Sequence, residues 1–333
     1  MTQVVQLRPS GRVLEVCDGE TVLDAAIRDG VTLAYGCRNG RCGACRARLV
    51  RGMVSEGEEG AADTPGSGTI LLCRAYPVSE VEVEVHELET AAEIVVKELP
   101  CKVARMQPLS RDVMGLWLKL PAAERLQFLA GQYIDILLSD GRHRSFSLAN
   151  APHHDDFLEL HVRHHGGGAF SDFVFGGMRE KTLLRIRGPL GSFFLREDSA
   201  RPIIFVAGGT GFAPIKGIIE HCLHEGNARP IRLYWGARTR AGLYLDQLAR
   251  GWAREHADLG YVPVLSEAGS ADAWEGRTGL LHEAVAEDFA DLGGHDVYAS
   301  GPPAMVHAVH DGLLEQGLRS DRFYADAFEV AAR

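Results

Sequence analysis

Four cysteines constrain this 333-residue chain more than anything else in it. Cys37, Cys42 and Cys45 follow the spacing C-x4-C-x2-C, and Cys73 stands further on. This is the ligand spacing of a plant-type [2Fe–2S] cluster. Four thiolates must converge on two irons, so one tight loop supplies three and a later segment delivers the fourth. The loop, residues 36–45, reads GCRNGRCGAC. Its glycines let backbone N–H groups approach the cluster sulfurs, and such hydrogen bonds tune the potential. Arg38, Arg41 and Arg46 place positive charge beside an anionic cluster. A zinc site usually takes two C-x2-C arms. Only Cys42 and Cys45 form such a pair, so the spacing favours iron. Cys17, Cys101 and Cys222 fall outside the pattern, lie in apolar segments and read as inert core residues.

The chain has the length of two or three domains. Its formal net charge of −10 argues against general nucleic-acid binding. No stretch approaches the ~20 apolar residues of a membrane span; the best candidate, residues 203–207 (IIFVA), runs straight into glycines and reads as a strand. The N-terminus, MTQVVQLRPSGR, has no apolar signal core. The expectation is a cytoplasmic protein, where cysteines stay reduced and serve metals or catalysis more than disulfides.

The pattern divides the chain. Residues 2–7 and 13–17 read as a hairpin around Pro9-Ser10-Gly11, and Thr21 caps a short helix reaching Arg28. A strand runs through Ala47, Leu49 and Val50. Residues 56–69 read as an acidic Gly/Pro-rich loop, and residues 81–85 (VEVEV) as a solvent-edged strand. The connector around residues 86–100 marks a boundary. The expected domains are 1–90, a linker 91–100, then 101–198 and 199–333. Residues 102–187 alternate in short segments between turn residues, as in a β-barrel. From about residue 200, strand, glycine turn, helix and strand give βαβ texture and predict a parallel sheet.

Two further sites follow. In Arg144-Ser145-Phe146-Ser147, an Arg can pair with a pyrophosphate, an aromatic can lie against an isoalloxazine, and a Ser hydroxyl can hydrogen-bond flavin N5. About 20 residues on, Arg163 precedes a glycine turn and a helix start, where Gly168 and Ser171 make an anion site. His161, His164 and His165, with His153 and His154 upstream, lack a metal-ligand spacing and read as surface or loop histidines. Downstream, Gly208-Gly209-Thr210-Gly211 joins a strand to a helix and lets backbone approach a pyrophosphate. This is not G-x-G-x-x-G. Val297–Ser300 ends in Gly301-Pro302-Pro303, and two such strand ends in an open α/β sheet face one crevice. Arg238 and Arg240 end the next strand, placed to meet the adenosine ribose.

With these three sites in this order, the whole chain resembles the ferredoxin–flavin–nicotinamide reductases of the ferredoxin-NADP reductase superfamily. The resemblance is carried by LPCK (99–102), LAGQYID (129–135), RSFSLANAP (144–152), GPLGSFFLRE (188–197) and AGGTGFAPIK (207–216). Within the superfamily it runs to the CDP-6-deoxy-Δ3,4-glucoseen reductases. It runs also to the reductase components of ring-hydroxylating dioxygenases, through GRCGAC (40–45) and YADAF (324–328). It implies an α+β ferredoxin (β-grasp) domain, an antiparallel β-barrel flavin domain and an α/β parallel-sheet nicotinamide domain. Arg144, Phe146 and Ser147 would surround FAD, Gly208–Gly211 and Gly301–Pro303 would hold the nicotinamide nucleotide, and Phe328 resembles an aromatic that covers the flavin until nicotinamide displaces it. Two departures stand out: Phe146 is often Tyr in relatives, and Ser300 is often Cys.

The implied activity is electron transfer from NAD(P)H, with NADH favoured, through FAD and the [2Fe–2S] cluster to a partner enzyme. A plant-type cluster lies near about −400 mV. The partner is either a pyridoxamine-phosphate-dependent sugar dehydratase or an oxygenase component, and the sequence does not separate them. A non-enzymatic iron–sulfur carrier is the third reading, opposed by the flavin and nicotinamide segments. Residues 1–90 hold 14 acidic and 9 basic side chains, a balance suited to a basic partner face.

Overall fold

The protein is described from a computed structural model covering residues 2–35, 38, 40, 43–56, 63–65, 68–85, 87–88 and 94–328. Cys37, Cys42 and Arg41 lie outside the described residues. The chain forms two compact units, Met1–Val95 and Val96–Arg333.

In the first unit, β1 (Gln3–Arg8), β2 (Val13–Val16), α1 (Val22–Arg28), β3 (Arg46–Arg51), β4 (Met53–Glu56), β5 (Asp63–Pro65), β6 (Gly68–Leu71), β7 (Ala75–Pro77) and β8 (Val81–Glu84) follow in order. The main sheet has the order β2-β1-β8-β3-β6, and β1 lies parallel to β8. This is the β-grasp arrangement. Thr21 caps α1 by accepting from the Asp24 N–H at 3.1 Å. The region 56–69 is not all loop, since β5 falls within it and β6 begins there. Nor is the VEVEV segment a sheet edge. It lies between β1 and β3, with Val81 and Val83 in the core. Alternation reports one buried face and says nothing of which strands pair beside it. Cys17 is exposed rather than core, because it falls just past the end of β2.

The second unit holds two layers of chemistry. Its barrel comprises β9 (Lys97–Pro108), β10 (Val113–Lys119), β11 (Tyr133–Leu137), β12 (His143–Ser147), β13 (Leu158–Arg163), α2 (Ala169–Gly176) and β14 (Leu183–Leu190). The sheet order is β12-β11-β14-β9-β10-β13, antiparallel throughout. Its two ends meet where Leu148 bridges Leu160 and the Ala149 N–H donates to the Glu159 carbonyl at 2.8 Å. Closure removes the exposed strand edges.

The remainder is β15 (Ile203–Gly208), α3 (Phe212–His224), β16 (Ile231–Ala237), α4 (Asp246–Glu255), β17 (Leu259–Leu265), β18 (Arg277–Thr278), α5 (Leu281–Asp288), β19 (Asp296–Gly301), α6 (Pro303–Leu314) and β20 (Phe323–Ala327). All six strands run parallel in the order β18-β17-β16-β15-β19-β20. Every residue of β15 and β19 is buried, as in a sheet covered on both faces. Successive strands run outward from β15 on one side, and β19 begins the other. The carboxyl ends of β15 and β19 therefore form the topological switch point, where open α/β sheets hold ligands.

Asp296, fully buried at the start of β19, accepts from Arg229 at 2.5 Å, and Arg229 also donates to the Arg196 carbonyl. Removing one partner of a buried pair leaves an uncompensated charge. Asp296→Ala is expected to cost about 3–5 kcal/mol, read as a lower urea midpoint by circular dichroism.

Candidate functional site

The register of β3 and β6 builds half of the cysteine site. Arg46 pairs with Leu71, so Cys45 lies just before one strand and Cys73 just beyond the other. The Leu72 N–H donates to the Cys45 carbonyl at 3.0 Å and holds the two segments together. The Cys45 and Cys73 sulfurs are buried and 3.2 Å apart. A disulfide would bring them to about 2.05 Å, so these are separate thiols converging from segments 28 residues apart. The loop before them keeps turning: Arg38, Gly40 and Gly43 have φ of 60°, 88° and 72°. Arg38 donates to Asp24 of α1 at 2.6 Å, which anchors the loop to the helix. Buried convergent thiols on a tightly turned loop fit a [2Fe–2S] cluster, with Cys37 and Cys42 as the remaining ligands implied by the spacing.

On the barrel, β12 carries Arg144, Phe146 and Ser147. Phe146 packs against Phe170 of α2 with ring centres 5.3 Å apart. Arg144 donates to the adjacent His143 carbonyl, and among the described residues no carboxylate lies within ion-pair distance of it. α2 starts at Gly168 without a side-chain cap on its N–H groups, while the Ser171 hydroxyl donates to the Gly168 carbonyl at 3.0 Å. An Arg, an aromatic ring and an open helix N-terminus fit a flavin dinucleotide.

Ser147 is buried, and its Oγ donates to Asp326 Oδ2 at 3.0 Å. Asp326 belongs to β20, where it sits beside Ser300 of β19. Thus the hydroxyl of one barrel strand meets a carboxylate at the mouth of the parallel sheet. Sequence reasoning quoted Asp326 only inside a motif and gave it no role. Its partner is 179 residues away, which no local pattern reports.

At the switch point the two strand ends touch through backbone. A Cβ on Gly211 would lie 2.0 Å from the Ser300 carbonyl oxygen, and one on Gly301, whose φ is 143°, would lie 2.8 Å from the Gly208 oxygen. Only glycine permits this approach. Thr210 sits within the turn, and Pro302 caps α6. A single helical turn over Gly209–Gly211 runs straight into α3, and neither it nor α3 has a side-chain cap, so the uncapped helical start lies at Gly208 and can address an anion. The turn is held from below by Trp235, whose indole N–H donates to the Gly209 carbonyl at 3.0 Å and whose ring stacks on Phe212 at 3.8 Å. The Arg163 guanidinium lies over Gly209, close enough to collide with any side chain there. The Phe328 N–H donates to the Gly301 carbonyl at 2.8 Å, placing that residue at the same mouth. The Ser300 hydroxyl, fully buried, has no hydrogen-bond partner among the described residues. Arg238 and Arg240 are exposed beyond β16, and Arg240 is tied to Asp272 through its N–H at 2.9 Å.

Histidines depart from expectation. His164 and His165 are exposed, but His161 is buried between barrel and parallel sheet. Its Nδ1 meets the Tyr244 hydroxyl at 2.9 Å and its Nε2 meets Glu159 at 2.9 Å. Strand position places it there: it shares a face of β13 with Arg163, which also reaches the nucleotide turn. Burial depresses its pKa against the opposing pull of Glu159. The neutral ring accepts from Tyr244 and donates to Glu159.

Three sites in one order define an NAD(P)H-dependent iron–sulfur flavoprotein oxidoreductase. Family models match over residues 5–78 (2Fe-2S iron-sulfur cluster binding domain), 100–195 (oxidoreductase FAD-binding domain) and 205–311 (oxidoreductase NAD-binding domain). The chain belongs to this family of electron-transfer reductases, which pass electrons from NAD(P)H through FAD and a [2Fe–2S] cluster to a partner enzyme. It is 39% identical to the CDP-6-deoxy-L-threo-D-glycero-4-hexulose-3-dehydrase reductase of Yersinia pestis, over 98% of this chain and 99% of that one. It is 34% identical to terephthalate 1,2-dioxygenase reductase component 1 of Comamonas, over 99% and 98%. The crystal structure of the Amycolatopsis cytochrome P450 reductase GcoB matches with a TM-score of 0.78 and 33% identity, over 98% and 99%.

The depressed pKa of His161 has a pH consequence. The unfolded chain takes up this proton near pH 6.5, while the folded protein resists it, so the stabilisation is present above that value and lost as pH falls below it. The thermal unfolding midpoint is expected to fall between about pH 7.5 and about pH 5.5, and less steeply in His161→Gln. Equal slopes in the two proteins would refute the assignment.

Proposed function

We propose that this chain delivers single electrons to a dehydratase acting on a nucleotide-linked deoxyhexulose, the role carried in the names of its relatives at 39% identity. The observation that carries this reading is the higher identity to those reductases than to the oxygenase components, over almost the full length of both chains. An oxygenase component is the second reading, favoured by the 33% identity and close structural match to a P450 reductase. The chain's domains are 1–90 for the cluster, a linker at 91–100, 101–198 for FAD and 199–333 for the nucleotide, in a protein of the cytoplasm.

FAD, when bound, takes electrons as a pair with hydride and gives them up singly, and the cluster carries one at a time. The chain supplies position and charge. Cys37, Cys42, Cys45 and Cys73 would hold the irons. Arg144 and the α2 N-terminus at Gly168 and Ser171 would neutralise the FAD pyrophosphate. Phe146 would lie along the isoalloxazine, and Arg163 and the Gly208–Gly211 turn would receive the nicotinamide nucleotide with Gly301 and Pro302. Arg238 would lie toward its ribose, and NADH is the favoured donor. Ser147 would stand beside flavin N5, and Asp326 fixes the Ser147 side chain by accepting the hydrogen bond from its hydroxyl. Phe328 would cover the flavin face in the absence of nicotinamide.

Purified candidate acceptors, a dehydratase and an oxygenase, would each be added to the holoenzyme with NADH. Faster NADH consumption with the dehydratase alone is the expected result, and acceleration by the oxygenase alone would overturn it. Cys73→Ala should lose the cluster absorbance and reduction of cytochrome c, yet keep flavin bleaching by NADH. Ser147→Ala and Asp326→Asn should retain FAD and slow that bleaching by about 10–100-fold, the range of a positioned proton-holding group, measured by stopped flow.

A further inference from the structure

Lys216 has no place in the site as described, yet it is among the most buried charges in the chain, 6% exposed on α3. Its three ammonium protons are all used. It donates to the Ala149 carbonyl at 3.0 Å, to Glu159 Oε2 at 3.1 Å and to Glu220 at 3.0–3.1 Å. Two of these partners belong to the barrel. They are also the two residues that close it, since the Ala149 N–H donates to the Glu159 carbonyl. The next residue of α3, Gly217, is pressed onto the same seam: a Cβ there would lie 2.9 Å from the Asn150 oxygen and 3.2 Å from that of Leu148. Glu159 carries the contact onward to His161 and, through its ring, to Tyr244 beside Trp235.

The ends of this arrangement matter. One turn before Lys216, α3 opens at Gly211, where the nicotinamide nucleotide is received. Two residues before Ala149 stands Ser147, assigned above to the flavin side and bonded to Asp326. The contact therefore joins the element that presents the hydride donor to the one that presents the acceptor. A mobile surface pair would not do this. A buried ammonium with three fixed acceptors has one geometry, and losing any acceptor leaves a buried donor unsatisfied.

Resting on the reading of the site given above, we propose that Lys216 is a positioning residue for hydride transfer, locking the nucleotide-binding end of α3 to the barrel seam behind Ser147. Hydride transfer needs its reacting atoms in near-attack contact, and a displacement of about 1 Å can cost about 100-fold. Displacement of α3 against the seam moves donor relative to acceptor.

The test uses the holoenzyme with FAD and cluster loaded, in three variants: Lys216→Met, Glu159→Gln and the double variant. The double variant removes the ammonium together with Glu159 and leaves Glu220 as the one carboxylate on the seam, so it regains part of the folding stability that either single change loses. The expected results are a limiting rate of flavin bleaching by NADH lowered about 10–100-fold in Lys216→Met and still lowered in the double variant. The nucleotide Kd should change less than about threefold, and the flavin potential and FAD absorbance should be unchanged. Amide hydrogen exchange at residues 148–150 and 212–217 should be faster in both, a readout independent of turnover. A double variant that recovers stability and rate together would assign Lys216 a structural role only and overturn the proposal. So would wild-type exchange and bleaching in Lys216→Met. Failure of the unsubstituted holoenzyme to bleach with NADH, a separate result, would overturn the assignment of the flavin and nucleotide sites and this proposal with it.

Discussion

Helix α3 has to touch two backbones at once, and the second unit is organised around that demand. Gly211, just before its first turn, abuts the Ser300 carbonyl at the end of β19, and Gly217 abuts the carbonyls of Leu148 and Asn150 on the barrel. Neither contact admits a side chain. The helix is thereby fixed at its N-terminus by the parallel sheet and at its second turn by the barrel. Aromatic packing supports it from within the sheet, where Phe212 stacks flat on Trp235 and meets Trp252 at 6.0 Å. The same tightness that excludes side chains leaves open N–H groups facing the crevice, and an anion is what such groups attract.

Beyond the Asp296–Arg229 pair, charge is buried where the two layers meet. Lys216, Glu159, Glu220 and His161 form a network there, and burial and partners pull on it in opposite directions. Burial works to raise Glu159, but the hydrogen bond from His161 and the charge of Lys216 prevail and hold it below the usual carboxylate range. For Glu220 burial prevails over Lys216 and the pKa rises. The pairing therefore favours Lys216 with Glu159, and Glu220 is the weaker acceptor. Well-packed apolar residues would stabilise such a seam as well or better. What a charged network adds is a single allowed geometry, and a seam between donor and acceptor sites is where geometry has consequences.

Local patterns announced themselves in the sequence, and pairings did not. The cysteine loop and the glycine turn were legible because a cluster and a pyrophosphate demand fixed spacing within a dozen residues. Helix α1 and the β15–α3 turn came within a residue or two of their expected limits for the same reason. The position of Cys73 beside Cys45 was legible only as a count of ligands; the register of β3 against β6 is what brings the sulfurs together. Strand β8 looked like an edge because Glu82 and Glu84 alternate with valines. Those glutamates instead occupy the open face of a central strand, where they pair with Arg8 and Arg48 of the strands on either side. His161 looked like one of a polar run, and only the meeting of barrel and sheet buries it. Asp326 and Lys216 were hidden for one cause: their partners lie 179 and 57 residues away.

The flavin and nucleotide contacts cannot by themselves choose an acceptor. Every group at the crevice, from Gly209 to Ser147 and Asp326, addresses the donor side of the reaction, and relatives that serve a dehydrase and a dioxygenase align over the same full length. Discrimination between acceptors must then reside on surfaces that leave this machinery untouched. The first unit offers one: its sheet turns Glu82 and Glu84 outward and the adjoining segments are acidic, in a region with 14 acidic and 9 basic residues. An acidic face favours a basic partner through long-range attraction, which raises encounter rates and weakens with salt. Several of these carboxylates are already committed to arginines on the same sheet, so the field a partner meets is smaller than the residue count implies. Selectivity built this way rests on the few acidic groups left unpaired, and small changes among them can redirect electrons without altering how they are gathered.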